Sequence, residues 1–399
     1  MVGTRRYISC CAFLVGGLAL AGAVADVSLL SSRLPPIDIQ QALTSLEQGA
    51  YAQAEKEALA LAGSITRPRP RAWSVVAAAR QRQGRFASAA KAYRLFLAST
   101  ESAEMRQFAL RQIETCRRSL QPPAVPAAPS SRMDEDDLAE LAKVDDRTYT
   151  ESTEHFVVHT RNAKLAKVIA TEAELALNRI CGDILAGQAY PHSVRINVWP
   201  DHDTYLANAA DAPEWAGGNF TFSVKDGLVT RQIDLTQRDT EGSFAVIMVD
   251  RVLPHEMCHL VLREYFGDAA CPLFLNEGLA MMAEYAPETR RLELAGHAIA
   301  GKARISLQEL LVQRRYSLRR PSVFYAEAFS LIEFLHSRMT PEQLRSFLGH
   351  VKAGCTACDA LQRSLYVPAS ESFLTSLASA WEDHAVEQAQ YIRALADRR

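Results

Sequence analysis

Pro254-His255-Glu256-Met257-Cys258-His259 and, shortly after it, Phe274-Leu275-Asn276-Glu277-Gly278-Leu279-Ala280 decide how this chain is read. On a helix, residues four apart share one face at a spacing of roughly 6 Å. His255 and His259 can therefore grip a single zinc ion, with Glu256 beside them to serve a metal-held water as general base. A zinc site built for catalysis needs a third protein ligand and one open position. Glu277, 18 positions after His259, supplies that ligand from a second predicted helix starting near Pro272. One Zn2+ ion is thus the expected cofactor. Pro254 lacks a backbone donor and is expected to kink the first helix just ahead of His255.

Outward from these motifs the pattern mixes α and β. His155 to Thr160 and Val194 to Trp199 read as strands, the second stopped by Pro200. Asn219 to Val224 and Val229 to Leu235 flank the turn pair Asp226-Gly227 as a hairpin. Ala163 to Leu185 reads as an amphipathic helix, and Ser243 as the cap of a helix running to about Phe266. Later segments are mostly helical. Strands first and helices later make an α+β domain.

With these residues in place, the sequence resembles the gluzincin metallopeptidases, and more narrowly the peptidase MA-like domain often joined to tetratricopeptide repeats. The resemblance rests on the His-Glu-Met-Cys-His run preceded by Leu253-Pro254, and on Leu275-Asn276-Glu277-Gly278-Leu279-Ala280. Trp199-Pro200-Asp201-His202, Pro213-Glu214-Trp215-Ala216-Gly217-Gly218 and Tyr325-Ala326-Glu327-Ala328-Phe329-Ser330-Leu331 add to it, over about Ser152 to Glu387. It implies a zincin-like domain: a small mixed sheet, the metal-binding helix and a helical C-terminal lobe. It also implies His255, His259 and Glu277 as metal ligands, Glu256 as the catalytic acid/base, and peptide-bond hydrolysis by a zinc-activated water. Tyr325 is the matched candidate to donate to the oxyanion, with Tyr265 and Tyr285 as substitutes; its stripe with Phe329 and Ile332 equally suits core packing. Some gluzincins place an acid one turn after the ligand glutamate to bond a zinc histidine; here that position is Met281. The substrate is expected to pair with an edge strand, for which Val229 to Leu235 is the candidate. No GxMEN-like exopeptidase motif is present, which favours an endopeptidase.

Upstream, Gly49-Ala50-Tyr51-Ala52-Gln53-Ala54 recurs as Gly84-Arg85-Phe86-Ala87-Ser88-Ala89, an offset of 35 residues. That period and those small residues resemble two degenerate tetratricopeptide repeats, an all-α module over 26–120 that would bind a protein partner. A Pro/Ala-rich linker over 121–137 follows, and 138–399 is the peptidase-like domain. Arg5-Arg6, an apolar run from Tyr7 to Val24 and Ala23-Val24-Ala25 read as a secretory signal peptide, 1–25. Export to a periplasmic or extracellular compartment follows; the alternative is an uncleaved N-terminal anchor.

A net charge of −2 gives no basic surplus for nucleic acid, and no second long apolar run exists for a polytopic membrane protein. Removing the signal leaves six of eight cysteines; Cys258–Cys271 is a candidate disulfide, and Cys355-Thr-Ala-Cys358 reads as structural. Glu264 and Glu327 read as solvated helix charges, and His155 and His159 as ordinary strand residues. The expected activity is hydrolysis of protein or peptide substrates. The other reading is a non-catalytic repeat adaptor carrying a degenerate peptidase domain.

Overall fold

The computed structural model describes residues 39–62, 70–120, 127–209, 212, 214–285, 289–301, 303–313, 320–365 and 373–396. The expected signal peptide and positions 121–126 of the linker lie outside these. The described residues form two compact units: those of 39–83 with 88–116, and those of 84–87 with 117–396.

The first unit is helical: α1 (Gln40–Glu47), α2 (Tyr51–Ala62), α3 (Pro70–Arg82), α4 (Phe86–Ser99) and α5 (Ala103–Ser119). Gly49 and Gly84 both turn the chain at φ +77°, which glycine enters without a Cβ clash. Ala54 and Ala89, the matching small residues one turn into the next helix, are fully buried. The sequence period therefore coincides with a repeated structural step.

The second unit begins earlier than expected. Within the 121–137 stretch, Pro129–Arg132 forms a 3-10 turn, and Ser130 donates its N–H and its hydroxyl to the buried Asp250 carboxylate. Asp134 then caps α6 (Glu135–Leu141), accepting from the Asp137 N–H at 2.8 Å. The acidic run read as linker is a helix N-terminus, where negative charge is favoured.

A five-stranded mixed sheet follows: β1 (Tyr149–Ser152), β2 (Phe156–Thr160), β3 (Val194–Trp199), β4 (Gly218–Lys225) and β5 (Leu228–Thr236). Its order is β1-β2-β3-β5-β4, with parallel β2, β3 and β5 in the centre and antiparallel β1 and β4 at the edges. The Val229 to Leu235 segment is thus an interior strand, and the free edge belongs to β4. The hairpin puts its first strand outside because β5 pairs with β3. At the turn Asp226 and Gly227 both have positive φ, as a two-residue hairpin requires.

Phe156, Val158, Ile196, Val198, Ile233 and Leu235 form the inner face of the sheet and are buried. Against them pack α7 (Ala163–Ile184) and the metal-motif helix α9 (Leu253–Phe266); α8 (His202–Asn208) packs on β3 and β5. Ser243 does not cap α9. It closes a loop in which the Asp239 carboxylate accepts from the Glu241 and Ser243 N–H groups at 2.9 Å each. A wider π turn, Met248–Val252, leads into α9 instead.

The remainder is α10 (Leu273–Ala283), α11 (Thr289–Ala300), α12 (Leu307–Val312), α13 (Pro321–His336), α14 (Pro341–Lys352), α15 (Ala357–Ser364) and α16 (Phe373–Ala396). α13 packs on α10, α11 and α16, so it is apolar on nearly every side. It carries Glu327 inside with it, fully buried, one oxygen accepting from the Ile305 N–H at 3.0 Å. Glu327 is therefore no solvated charge. Glu264 lies 3.2 Å from His192 and 3.7 Å from Arg231. All six described cysteines are free thiols, so Cys258 and Cys271 are not bridged.

Candidate metal centre and cleft

Pro254 falls in the first turn of α9, where a missing N–H costs little. The break is absorbed one turn earlier by the π turn, a feature that often re-aims side chains at functional sites. Leu253, Met257, Cys258, Leu260 and Val261 bury the inner face of α9. His255, Glu256 and His259 then face a cleft.

α10 starts where Pro272 ends the preceding loop, as expected. It runs close against α13 at Gly278, where an added Cβ would lie 2.3 Å from Ile332 Cγ1 and 2.8 Å from the Ala328 carbonyl oxygen. Only glycine fits there, and the close approach fixes the rotation of Glu277 next to it.

The three expected ligands converge. Their ligand atoms lie within 4.8 Å of one another. His255 Nε2 is 3.6 Å from Glu277 Oε2, and His259 Nε2 is 3.8 Å from Glu277 Oε1. These gaps exceed hydrogen bonds. They approach the ~3.4 Å edges of a tetrahedron whose corners sit about 2.0–2.1 Å from a zinc ion. Glu277 is only 3% exposed, and a carboxylate so buried calls for positive charge beside it. The donor set of two imidazoles and one carboxylate also suits zinc.

His255 has a partner two helical turns beyond Glu277, at the i+7 position, where a count of one turn does not reach. Its Nδ1 lies 3.2 Å from Glu284 Oε1, and the other Glu284 oxygen accepts from Arg291 at 2.8 Å. Glu284 follows the last residue of α10 in extended conformation, φ −61° and ψ 141°. The next residue, Tyr285, donates its N–H to the Asp250 carbonyl at 2.9 Å, locking this return to the π turn. Burial opposes charge on His255. The Glu277 carboxylate beside it and the hydrogen bond to Glu284, with Glu256 nearby, overcome it and push the imidazole up to about 10. The pocket is thus built to hold positive charge.

Glu256 lines the same cleft and is 8% exposed. Tyr325 lines it from α13, its ring edge-on to Trp215 with centroids 6.0 Å apart. The substitutes do not reach: Tyr285 is buried under the Arg179 guanidinium, and Tyr265 packs beside Gly349 and Lys352. Gly218, Asn219 and Phe220 bring the free edge of β4 to the cleft, whose volume is about 1490 Å³. That space suits an extended chain better than a small molecule. Cys258 points into the core, its thiol pushed far up by burial, and is no ligand. His155 bonds Glu174 at 2.8 Å and His159 bonds Thr150 at 3.0 Å, away from the metal cluster.

The Peptidase MA superfamily model matches residues 186–381 of this chain, a span that contains every residue of the cleft. The match supports a peptidase MA-type domain, and that superfamily is typically metal-dependent. No curated protein matches the chain.

Proposed function

We propose that this protein is an exported zinc-dependent metallopeptidase in which His255, His259 and Glu277 hold one zinc ion. The observation that carries the reading is the convergence of those three side chains on one point beside Glu256, at the floor of a cleft edged by β4. When bound, zinc supplies Lewis acidity that activates a water and polarises a peptide carbonyl. Glu256 takes the proton of the attacking water and delivers it to the leaving amine. The Tyr325 hydroxyl donates to the developing oxyanion. The free edge of β4 pairs with the substrate backbone and holds it extended. The helical module, read as tetratricopeptide-like, recruits a protein partner or substrate, and the N-terminal segment directs export.

The test is zinc content by mass spectrometry together with cleavage of a peptide library, for the native sequence and for Glu256→Gln. Zinc in both and cleavage only in the native protein supports the peptidase. Stoichiometric zinc with no cleavage in either favours the adaptor. Freshly purified native protein without zinc sinks the site.

Glu284 fixes the ring orientation of His255 and raises its basicity as a ligand. Losing such a partner typically costs about 10–100-fold in metal affinity. Glu284→Gln is expected to weaken zinc binding by about 30-fold, measured by competition with a chromophoric chelator. Unchanged affinity would show that the His255–Glu284 contact does not tune the metal.

A further inference from the structure

Two buried acids of the second unit take their partners from one short piece of chain. They are Asp250 in the π turn and Glu172 on α7. Among the described residues, the Asp250 carboxylate accepts from the Ser130 N–H at 3.0 Å and from the Ser130 hydroxyl, and Glu172 pairs with Arg132 at 2.7 Å. Burial raises the Glu172 carboxyl, Arg132 pulls it back, and the Asp250 charge raises it again. The two acids therefore repel each other, and the 3-10 turn Pro129–Arg132 brings the donors that hold both in place. A buried carboxylate that loses such a donor is costly to leave unmatched.

From Asp250 the contacts lead to the His255 imidazole. The Asp250 carbonyl accepts the Tyr285 N–H at 2.9 Å. Glu284, the residue before Tyr285, lies 3.2 Å from His255 Nδ1. The same return is gripped from α7. Arg179, seven positions after Glu172 and so on its face, donates to the Ala283 carbonyl and lies over the Tyr285 ring, 4.7 Å from its centroid. Donation to the last carbonyl of α10 is what the negative end of a helix favours. Asp250, Glu284 and His255 are thus closed into a ring, and Ser130 fastens it from outside.

We infer that residues 129–132 form a brace for the metal site, with Ser130 as a positioning residue that acts on His255 through Asp250 and the Glu284–Tyr285 return. Its consequence for zinc rests on the reading proposed above. The brace itself is measurable without metal.

Two measurements on the full chain test it. The first is amide hydrogen exchange with no metal added. In Ser130→Ala the Tyr285 amide should exchange about tenfold faster while the amides of β3 keep their native rates. Ser130→Thr retains the hydroxyl and should restore protection. The β3 amides are internal to each preparation, so a loss of overall stability is not mistaken for local loosening. An unchanged Tyr285 rate, or one factor common to all amides, overturns the inference. The second is zinc affinity by competition with a chromophoric chelator. Ser130→Ala should weaken binding by about fivefold, since residues coupled to a site at a remove shift it by about 2–30-fold. In a Glu284→Gln background the same substitution should add nothing, because the partner it acts through is already lost. A full fivefold loss in that background overturns the route through Glu284 and leaves the peptidase reading standing. If the native protein binds no zinc, the peptidase reading fails. Exchange at Tyr285 then decides alone: local acceleration in Ser130→Ala keeps the brace, and native rates remove it.

Discussion

Glu256→Gln is expected to lower kcat by about 10^3-fold while zinc content and KM stay near their native values. General acid–base groups typically contribute about 10^2–10^4-fold, and Gln keeps the shape of Glu without its capacity to take a proton. Three features make the expected split clean. His255, His259 and Glu277, the proposed metal ligands, are untouched. Glu256 is only 8% exposed, so a neutral isostere removes a buried charge and does not threaten the fold. The edge of β4 lies on a separate element of the cleft, so binding of the substrate backbone persists. An interaction made only in the transition state shows in kcat and kcat/KM alike, with KM unchanged. Loss of zinc from the variant would make Glu256 a part of the metal's support. Full activity would remove it from the chemistry.

The candidate metal cluster was legible because each part rests on local periodicity. His255 and His259 are fixed to one face by the spacing of a single helix, and Glu277 lies on a second helix announced by Pro272. The hairpin was legible from Asp226-Gly227 for the same reason. What was not legible depends on where one element stops or what covers it. Counting one turn beyond Glu277 leads to Met281, buried in the core; the acid that bonds His255 is Glu284, two turns on and just past the end of α10 at Ala283. Strand order is a property of pairing, not of sequence order, so the exposed edge fell to β4 and not to β5. The π turn has no residue signature of its own, and it took the distortion that Pro254 alone suggested. Glu327 looked solvated because charge in a helix usually faces water. The neighbours of α13 on three sides leave it no such face.

That burial makes Glu327 the source of a pH-dependent loss of stability, and Glu327→Gln should abolish it. Burial raises the Glu327 carboxyl, the Ile305 N–H only partly offsets this, and the group is pushed up from 4.5 to about 8. Among the described residues its second oxygen has no hydrogen-bond partner. Below pH 4.5 the folded and unfolded chains both hold the proton, so the group adds no pH dependence. Between 4.5 and 8 the unfolded chain releases the proton while the folded chain keeps it, so stability falls as pH rises through this window. Above 8 the folded carboxyl ionises too, and the loss levels off. Gln retains an oxygen to accept from Ile305 and carries no titrating proton. The variant should match the native protein near pH 4.5 and exceed it by about 2–4 kcal/mol near pH 8, since each tenfold change in proton affinity is worth ~1.4 kcal/mol. Urea unfolding of both proteins at about pH 5, 6.5 and 8 reads this directly, because every other titrating group cancels in the difference between them. A difference that stays constant with pH would mean that Glu327 is already ionised in the folded protein. The lone bond to Ile305 would then be insufficient, and a cationic partner would have to stand beside it.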